Sequence, residues 1–169
     1  MALPFIQGWL MLLKIRRANG SYKVKLRQLC QQDQQNWMSL WQGYQAFYQV
    51  EIDPQITEKT FSRLLDPDEA MYCLVIEEQE KLIGFVHFIF HRSTWTIGDY
   101  CYLQDLFVAP NARVKGLGRK LIEAVYEKAA ERQCSRVYWL THESNEQARR
   151  LYDNIAINAG FIQYRKNLE

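Results

Sequence analysis

The stretch that decides the fold runs from Val108 to Lys120 and reads VAPNARVKGLGRK. An apolar run ends at Val108, a short loop carries Gly116 and Gly118, and a helical pattern follows at once. This strand-to-helix turn predicts a unit of an α/β fold. The first turn of such a helix offers unpaired backbone N–H groups, and glycine lets a phosphate approach them closely.

Cationic side chains surround the same loop. They are Arg113, Lys115, Arg119 and Lys120. Added to the positive end of the helix dipole, they predict an anion site suited to a pyrophosphate. The sequence lacks the Walker pattern and the third glycine of the longer dinucleotide pattern, which leaves coenzyme A as the leading ligand. Tight packing of the strand against the helix is the alternative explanation for the two glycines.

Hydrophobic periodicity predicts the remaining elements on either side of this loop. Helices are predicted over 33–49, 57–65, 116–132 and 145–158, and strands over 24–29, 71–77, 82–90, 100–108, 137–140 and 161–164. Neighbouring strands early in the chain and a βαβαβ order later predict an α/β fold of the mixed α+β type. We expect one domain with a central mixed, twisted sheet and helices on both faces.

The composition is that of one globular domain. The 169 residues suffice for a single core, and 48% apolar with 24% charged residues is near the globular average. The cationic residues are scattered and the net charge is only +2, which argues against nucleic acid as a partner. Four widely spaced cysteines without a C-x-x-C pair favour reduced thiols in the cytoplasm and no metal site.

The first twenty residues form a segment apart. Their apolar run, residues 3–13, is eleven residues long, whereas a membrane span needs about 20. The positive charges follow this run instead of preceding it, unlike those of a secretory signal. We therefore expect residues 1–20 to be an extension that is poorly ordered or docked on the surface, and residues 21–169 to form the domain. An added helix or an interfacial anchor is the alternative for the extension.

A motif in the deciding stretch resembles one of a known family. Arg113-x-x-Gly116-x-Gly118, after an apolar strand that ends in V-x-P, matches the [QR]-x-x-G-x-[GA] motif of the GNAT superfamily of N-acetyltransferases. The resemblance implies the GNAT fold and acetyl-CoA as cofactor, with the loop amides on the pyrophosphate and the strand backbone beside the pantetheine arm. The cofactor-binding residues that it implies are Leu106, Phe107, Val108, Arg113, Val114, Lys115, Gly116, Leu117, Gly118, Arg119 and Lys120.

The strand before the loop has an irregular spacing. Leu103 and Leu106 are three residues apart rather than two, which favours a β-bulge that frees backbone groups for a ligand. A strand buried on both faces would need no bulge and is the alternative.

A second motif follows in the stretch Thr141–Tyr152. It resembles the N-x-x-A-x-x-x-Y element of the same family, and Asn145, Ala148 and Tyr152 share one helix face because they are three and four residues apart. The resemblance implies that Asn145 contacts the pantetheine, that Ala148 leaves room for it, and that Tyr152 protonates the leaving thiolate. A core aromatic side chain is the alternative for Tyr152.

The general base is the open question. Residues 102–108, YLQDLFV, are close to the Y-L-E-D-[LF]-[FY]-V of a subgroup with spermidine/spermine acetyltransferases and small acetyltransferases for histones, polyamines or amino acids. Gln104 stands where members of this subgroup often carry a glutamate that is proposed to accept the amine proton through water, and an amide cannot be a base. Asp105 is the nearest candidate, although adjacent strand residues point to opposite faces. A water chain, Glu51 or no strong base at all are the alternatives.

Acidic and aromatic residues mark the expected acceptor site. Tyr44, Tyr48, Glu51 and Asp53 belong to the helical region that lies over the acceptor in this family, and Gln104 is added from the strand. Such groups suit a cationic amine, although a solvated helix end explains the acids equally well. His87 and His91 are expected to be surface or partly buried strand residues and not metal ligands.

The resemblance implies an acetyl-CoA-dependent N-acetyltransferase that acts by direct attack in a ternary complex. The acceptor is expected to be a primary amine of a polyamine, an amino acid or lysine, an aminoglycoside or a protein lysine. The alternatives are a non-catalytic CoA-binding sensor or structural relative, and a nucleic-acid binder that uses residues 113–120. We also expect a homodimer in the cytoplasm with a small amine substrate, no nucleic acid, no membrane and no metal.

Overall fold

The computed structural model describes residues 9–17, 20–112 and 116–168. The strands are β1 (Leu10–Arg17), β2 (Gly20–Gln28), β3 (Met71–Glu78), β4 (Lys81–His91), β5 (Tyr100–Val108) and β6 (Arg136–Tyr138). The helices are α1 (Gln34–Tyr48), α2 (Pro54–Leu65), α3 (Leu117–Glu131) and α4 (Glu146–Tyr152). The chain divides into two compact units at Trp139, with the whole sheet and α1–α3 in the first unit and α4 in the second.

The sheet is mixed, as the sequence predicts. Its strands follow chain order from β1 to β6, with antiparallel pairs up to β5 and a parallel pair between β5 and β6. Only three residue pairs join β5 to β6, and the last of them is Tyr102 with Tyr138. Beyond Tyr102, no strand of the described residues pairs with this edge of β5. The backbone groups of residues 103–108 on that edge therefore lie outside the ladder.

The predicted β-bulge lies in β5. His87 of β4 is opposite Asp105 and Phe88 is opposite Leu103, so Gln104 has no partner across the ladder. Directly paired residues share a face of the sheet, and neighbours along a strand alternate. The bulge therefore places Asp105 and Leu103 on opposite faces, although the two residues are only two positions apart.

An aromatic core fills one face of the sheet, under α1 and α2. It includes Trp37, Trp41, Phe61, Phe85 and Phe107. The apolar residues of α1 recur at the three- and four-residue spacing that puts them on one side of a helix. A Cβ at Gly43 would approach the Phe107 ring to 3.0 Å, so this glycine lets α1 pack closely against β5.

The start of α2 differs from the prediction. The helix begins at Pro54, with Asp53 as N-cap, and not with a cap at Thr57. The Asp53 carboxylate accepts from the Gln55 amide at 2.7 Å, and proline is favourable in the first helical position. Thr57 is instead buried, where its hydroxyl accepts from Trp41 Nε1 at 3.2 Å.

The C-terminal segment differs as well. The helix predicted over 145–158 ends at Tyr152, and the predicted strand 161–164 is wrong, because residues 157–168 lie in no helix or strand. A strand needs a neighbour to accept its backbone hydrogen bonds, and the described chain provides none for this segment. Alternating apolar residues alone therefore do not make a strand.

The sheet begins before residue 21, where the sequence analysis expects the domain to start. Strand β1 starts at Leu10 and pairs with β2 along its whole length, from Leu10 opposite Arg27 to Arg17 opposite Gly20. The ring of Trp9 lies 4.7 Å from the Lys128 ammonium of α3. Residues 9–17 thus add an edge strand to the sheet, while residues 1–8, 18 and 19 lie outside the described residues.

An ion network ties β2, β3 and the turn before α1 together. Arg27 donates to Asp33 at 2.6 and 2.8 Å and to Glu77 at 2.8 Å, and Lys25 donates to Glu77 at 2.8 Å. Burial raises the pKa of Asp33, but hydrogen bonds from Arg27 and the Cys30 amide outweigh it and leave this pKa below its usual range. The hydrogen bond from Lys25, then that from Arg27, lowers the pKa of Glu77 against an opposing effect of burial.

The network predicts unequal effects of two substitutions. Arg27→Met leaves the buried Asp33 without its main partner and Glu77 without one of its two cationic partners, and it should lower the free energy of unfolding by about 3 kcal/mol. Lys25→Met removes an exposed partner of Glu77 and should cost less than about 1 kcal/mol. Because both carboxyl pKa values are lowered, this stabilisation is present at neutral pH and is lost as the pH falls through them. Urea unfolding measures both variants, and equal losses would contradict the central place of Arg27.

Candidate active site

A buried carboxylate lies at the centre of the candidate site. Asp105 of β5 is 8% exposed, and both of its oxygens are hydrogen-bonded. The Tyr44 hydroxyl donates to Oδ1 at 2.6 Å, and His87 Nδ1 lies 3.0 Å from Oδ2. The bulge at Gln104 makes this possible, because it turns the Asp105 side chain toward the face that α1 covers.

The tautomer of His87 follows from its second partner. Trp37 Nε1 lies 3.0 Å from His87 Nε2, and an indole nitrogen can only donate. His87 Nε2 therefore accepts, and the ring proton is on Nδ1, from which it is donated to Asp105. The ring is 3% exposed, so this arrangement is inside the core and away from solvent.

The same carboxylate acts on the tyrosines of α1. Burial, and then the nearby Asp105 carboxylate, raises the pKa of Tyr44 far above its usual value. Tyr44 therefore keeps its proton and stays a donor to Asp105. Burial, followed by Asp105, also raises the pKa of Tyr48.

The tyrosines form an aromatic patch that reaches solvent. The Tyr44 ring stacks on Trp41 at 5.1 Å and lies 4.9 Å from the Tyr48 ring, and Tyr48 is 43% exposed. Aromatic faces above a buried negative charge attract a cation.

Only part of the predicted acceptor site comes together here. Tyr44, Tyr48 and Asp105 form one cluster, as described above. Gln104 is exposed on the bulge, and Glu51 is exposed beyond the end of α1, and neither belongs to the hydrogen-bond chain.

The sequence analysis did not predict that His87 and Trp37 belong to this cluster. It expects His87 to be a surface or partly buried strand residue, and it assigns Trp37 no part in the site. The signal that could have found them is the pairing of β4 with β5, which places His87 opposite Asp105. That pairing depends on the position of the bulge, which the sequence does not fix to one residue.

The predicted phosphate loop is described from Gly116 onward. Gly116 has φ of 111°, in the region that favours glycine, and α3 follows with a backbone bond from the Lys120 amide to the Gly116 carbonyl at 2.9 Å. Arg119 and Lys120 both lie near Glu123, at 4.0 and 3.0 Å. Leu117 is buried and Gly118 is half-buried. Arg113, Val114 and Lys115 lie outside the described residues.

The strand before this loop presents backbone and side chains differently. Phe107 is buried in the aromatic core, and Leu106 and Val108 are half-buried. The edge of β5 from residue 103 onward has no strand beside it, as given above. Backbone groups on a strand edge without a strand partner are of the kind that an extended ligand can pair with.

The second unit contains the other predicted motif. Asn145 is the N-cap of α4, with its side-chain oxygen accepting from the Ala148 amide at 3.4 Å and its amide donating to Thr141 Oγ1 at 3.3 Å. Tyr152 is the last residue of the helix. Asn145, Ala148 and Tyr152 are thus placed along α4 at the predicted spacing.

Within residues 9–17, 20–112 and 116–168, no group of three His, Cys, Asp or Glu residues could hold a metal ion. No helix in the described part of the chain is both long enough and apolar enough to span a membrane.

Comparison with known proteins identifies the family. The Acetyltransferase (GNAT) family model matches residues 34–155. The chain is 34% identical over 147 residues to the D-amino-acid N-acetyltransferase HPA3 of Saccharomyces cerevisiae. This match covers 86% of this chain and 91% of that protein. It is 30% identical over 107 residues to the thialysine N-epsilon-acetyltransferase of Mus musculus, in a match that covers 56% of this chain and 62% of that protein.

Solved structures agree on the fold. The ribosomal-protein-alanine N-acetyltransferase of Brucella melitensis superposes with a TM-score of 0.73 at 25% identity, over 85% of this chain and 98% of that one. AAC(6')-Iy, solved with a bisubstrate analog of CoA, superposes with a TM-score of 0.72 at 17% identity, over 85% and 98%. The chain belongs to the GNAT acetyltransferase family, and it is an N-acetyltransferase.

Proposed function

We propose that this N-acetyltransferase moves the acetyl group of acetyl-CoA to the primary amine of a small cationic acceptor. The observation that carries the proposal is the buried Asp105 carboxylate beneath the open aromatic patch of Tyr44 and Tyr48. A polyamine, a free amino acid or lysine, an aminoglycoside and a protein lysine all present such an amine. The relatives named for D-amino acids and thialysine make a free amino acid the first acceptor class to test.

The described residues fit coenzyme A on two counts. Beyond Tyr102, no strand of the described residues pairs with β5 on the side of β6, which suits backbone pairing with a pantetheine arm, and Gly116 precedes a helix of 15 residues whose first amides suit a pyrophosphate. We assign the cofactor to residues 106–108, 113–120, Asn145, Ala148 and Tyr152, with Arg113, Val114 and Lys115 assigned from the motif alone. When bound, acetyl-CoA supplies an acetyl thioester for direct attack by the amine.

The chemistry sets three requirements on the chain. An amine with a pKa of about 10 is mostly protonated at neutral pH, so a group must accept its proton before attack. The developing oxyanion needs donors, and backbone N–H groups on the open edge of β5 are suited to that task. A thiol with a pKa of about 8.5 leaves more readily when a hydroxyl protonates it, which we assign to Tyr152 by the family resemblance. Asp105 is the proposed proton acceptor.

The cellular setting is part of the proposal. All four cysteines are free thiols, which suits a reducing compartment such as the cytoplasm. We keep the expected homodimer as a proposal, which sedimentation equilibrium tests directly.

Turnover of amines tests the function. Purified protein with acetyl-CoA should release free thiol when lysine, D-amino acids, spermidine or an aminoglycoside is added, and mass spectrometry should find the acetylated amine. Tight CoA binding with no thiol release for any of these amines would favour the alternative, a CoA-binding sensor. DNA binding that falls with salt and that CoA does not displace would favour a nucleic-acid binder.

The assignment of Tyr152 gives a kinetic prediction. Tyr152→Phe should lower kcat by about tenfold or more, because it removes a general acid, and should leave CoA affinity nearly unchanged. Tyr164→Phe, in the same unit and 89% exposed, is the matched control and should keep full activity. Equal kcat values for the Tyr152 variant and the native chain, with chemistry rate-limiting, would remove Tyr152 from the mechanism.

The phosphate loop gives a binding prediction. Gly118→Glu places bulk and negative charge at the first turn of α3 and should abolish CoA binding in calorimetry. Ala130→Glu adds the same charge to an exposed position near the other end of α3 and should bind CoA normally. Retained affinity in the Gly118 variant would contradict the loop assignment.

A further inference from the structure

We propose that the acceptor amine gives its proton to the Tyr44 hydroxyl, which passes its own proton to Asp105, and that His87 is a positioning residue for this relay. The inference rests on the proposed function and specifies how its proton is removed. It assigns Tyr44 a direct part in the chemistry, where the sequence suggested only substrate binding.

The need for a relay follows from the burial of Asp105. Its Oδ1 and Oδ2 are both occupied, by Tyr44 and by His87, and the residue is 8% exposed. Each carboxylate oxygen could accept a second hydrogen bond, but the burial of Asp105 leaves an amine from solvent little access to it. The Tyr44 hydroxyl, in contrast, donates its one proton to Asp105 and keeps lone pairs that can accept another. Tyr44 also lies between Asp105 and the half-exposed Tyr48.

The proton balance of the step is simple. An N–H bond of the bound ammonium breaks and an O–H bond forms on the Tyr44 oxygen, while the original Tyr44 O–H bond breaks and an O–H bond forms on Asp105 Oδ1. The products are a neutral amine, a neutral Tyr44 and a protonated Asp105. The nitrogen lone pair is then free to attack the thioester. Asp105 returns the proton to solvent by the reverse path after the acetylated product leaves.

Helix α1 fixes both ends of the relay. Trp37 and Tyr44 are seven residues apart, about two helical turns, so they point to the same side of α1. Trp37 bonds His87, His87 bonds Asp105, and Asp105 bonds Tyr44, which closes a ring on one helix. Trp41 lies between Trp37 and Tyr44 along α1, and its side chain stacks on both, with ring centres 5.7 Å from Trp37 and 5.1 Å from Tyr44. Because Trp37 holds His87, the imidazole keeps Asp105 Oδ1 aimed at the Tyr44 hydroxyl.

The titratable groups that face Asp105 come from α1 and from three strands of the sheet. They are Tyr44 and Tyr48 from α1, His87 from β4, Cys73 from β3 and Tyr102 from β5. Burial is the first cause that raises the pKa of both tyrosines of α1, of Tyr102 and of Cys73. Trp37 Nε1 donates to His87 Nε2. Because the raised pKa values keep the three tyrosines and Cys73 protonated, a change in rate between pH 7 and 9 reports the acceptor amine and not these hydroxyls or this thiol.

The pH profile of Tyr44→Phe tests the relay. The variant keeps the ring and loses the hydroxyl, so kcat/KM at pH 7 should fall by about 100-fold. The loss should shrink by roughly tenfold for each pH unit up to pH 9, because solvent then supplies the neutral amine. An acceptor with a lower amine pKa should show a smaller loss at pH 7. Tyr72→Phe, which removes another buried hydroxyl, should match the native chain.

Two substitutions of His87 test positioning against packing. His87→Asn keeps an N–H donor near the position of Nδ1, and His87→Gln moves its donor near the position of Nε2. If His87 acts through Asp105, the asparagine variant should keep most of kcat at pH 7, and the glutamine variant should show the pH-dependent loss of Tyr44→Phe. Circular dichroism and thermal melting of each variant confirm that it is folded.

The outcomes separate the two proposals. No thiol release by the native chain with any amine overturns the proposed function and the relay together. The relay is overturned, and the function stands, if the native chain is active and Tyr44→Phe has the native kcat/KM. The same holds if the loss of kcat/KM in this variant is equal at pH 7 and pH 9. Equal behaviour of the two His87 variants overturns the positioning role.

Discussion

A carboxylate in a protein core is costly unless hydrogen-bond donors surround it, and Asp105 is such a group. Its donors come from two different elements, Tyr44 of α1 and His87 of β4. To supply both, α1 must cross β4 and β5 in one register, and Gly43 permits that approach. The bulge in β5 completes the arrangement by turning Asp105 inward. The packing of this half of the molecule thus follows from the need to satisfy one charge.

Strand β5 connects this charge to the expected chemistry. Its Asp105 side chain faces the aromatic patch of α1, while its backbone edge beyond Tyr102 has no strand beside it. An amine at the patch and a thioester along the edge would meet on the same strand. In the proposed mechanism, holding the two reactants in this way would favour direct attack without a covalent intermediate.

Much of the fold could be predicted from the sequence, because long elements carry strong periodicity. The span 100–108 was predicted for β5 and is the observed one, and α3 differs by one residue at each end. The site was harder, because one extra residue at Gln104 changes which face Asp105 occupies. His87 belongs to the site through that pairing alone. The prediction of a strand over 161–164 was wrong, because a local pattern of apolar residues does not show whether another strand is available to pair with.

The most direct measurement is a crystal structure with a bisubstrate analogue in which CoA is joined to the acceptor amine. The account predicts the amine nitrogen within about 2.7–3.2 Å of the Tyr44 hydroxyl, with Tyr44 still bonded to Asp105 and the pantetheine arm along β5. An amine that lies away from Tyr44, or an arm that does not follow the open edge of β5, would contradict it.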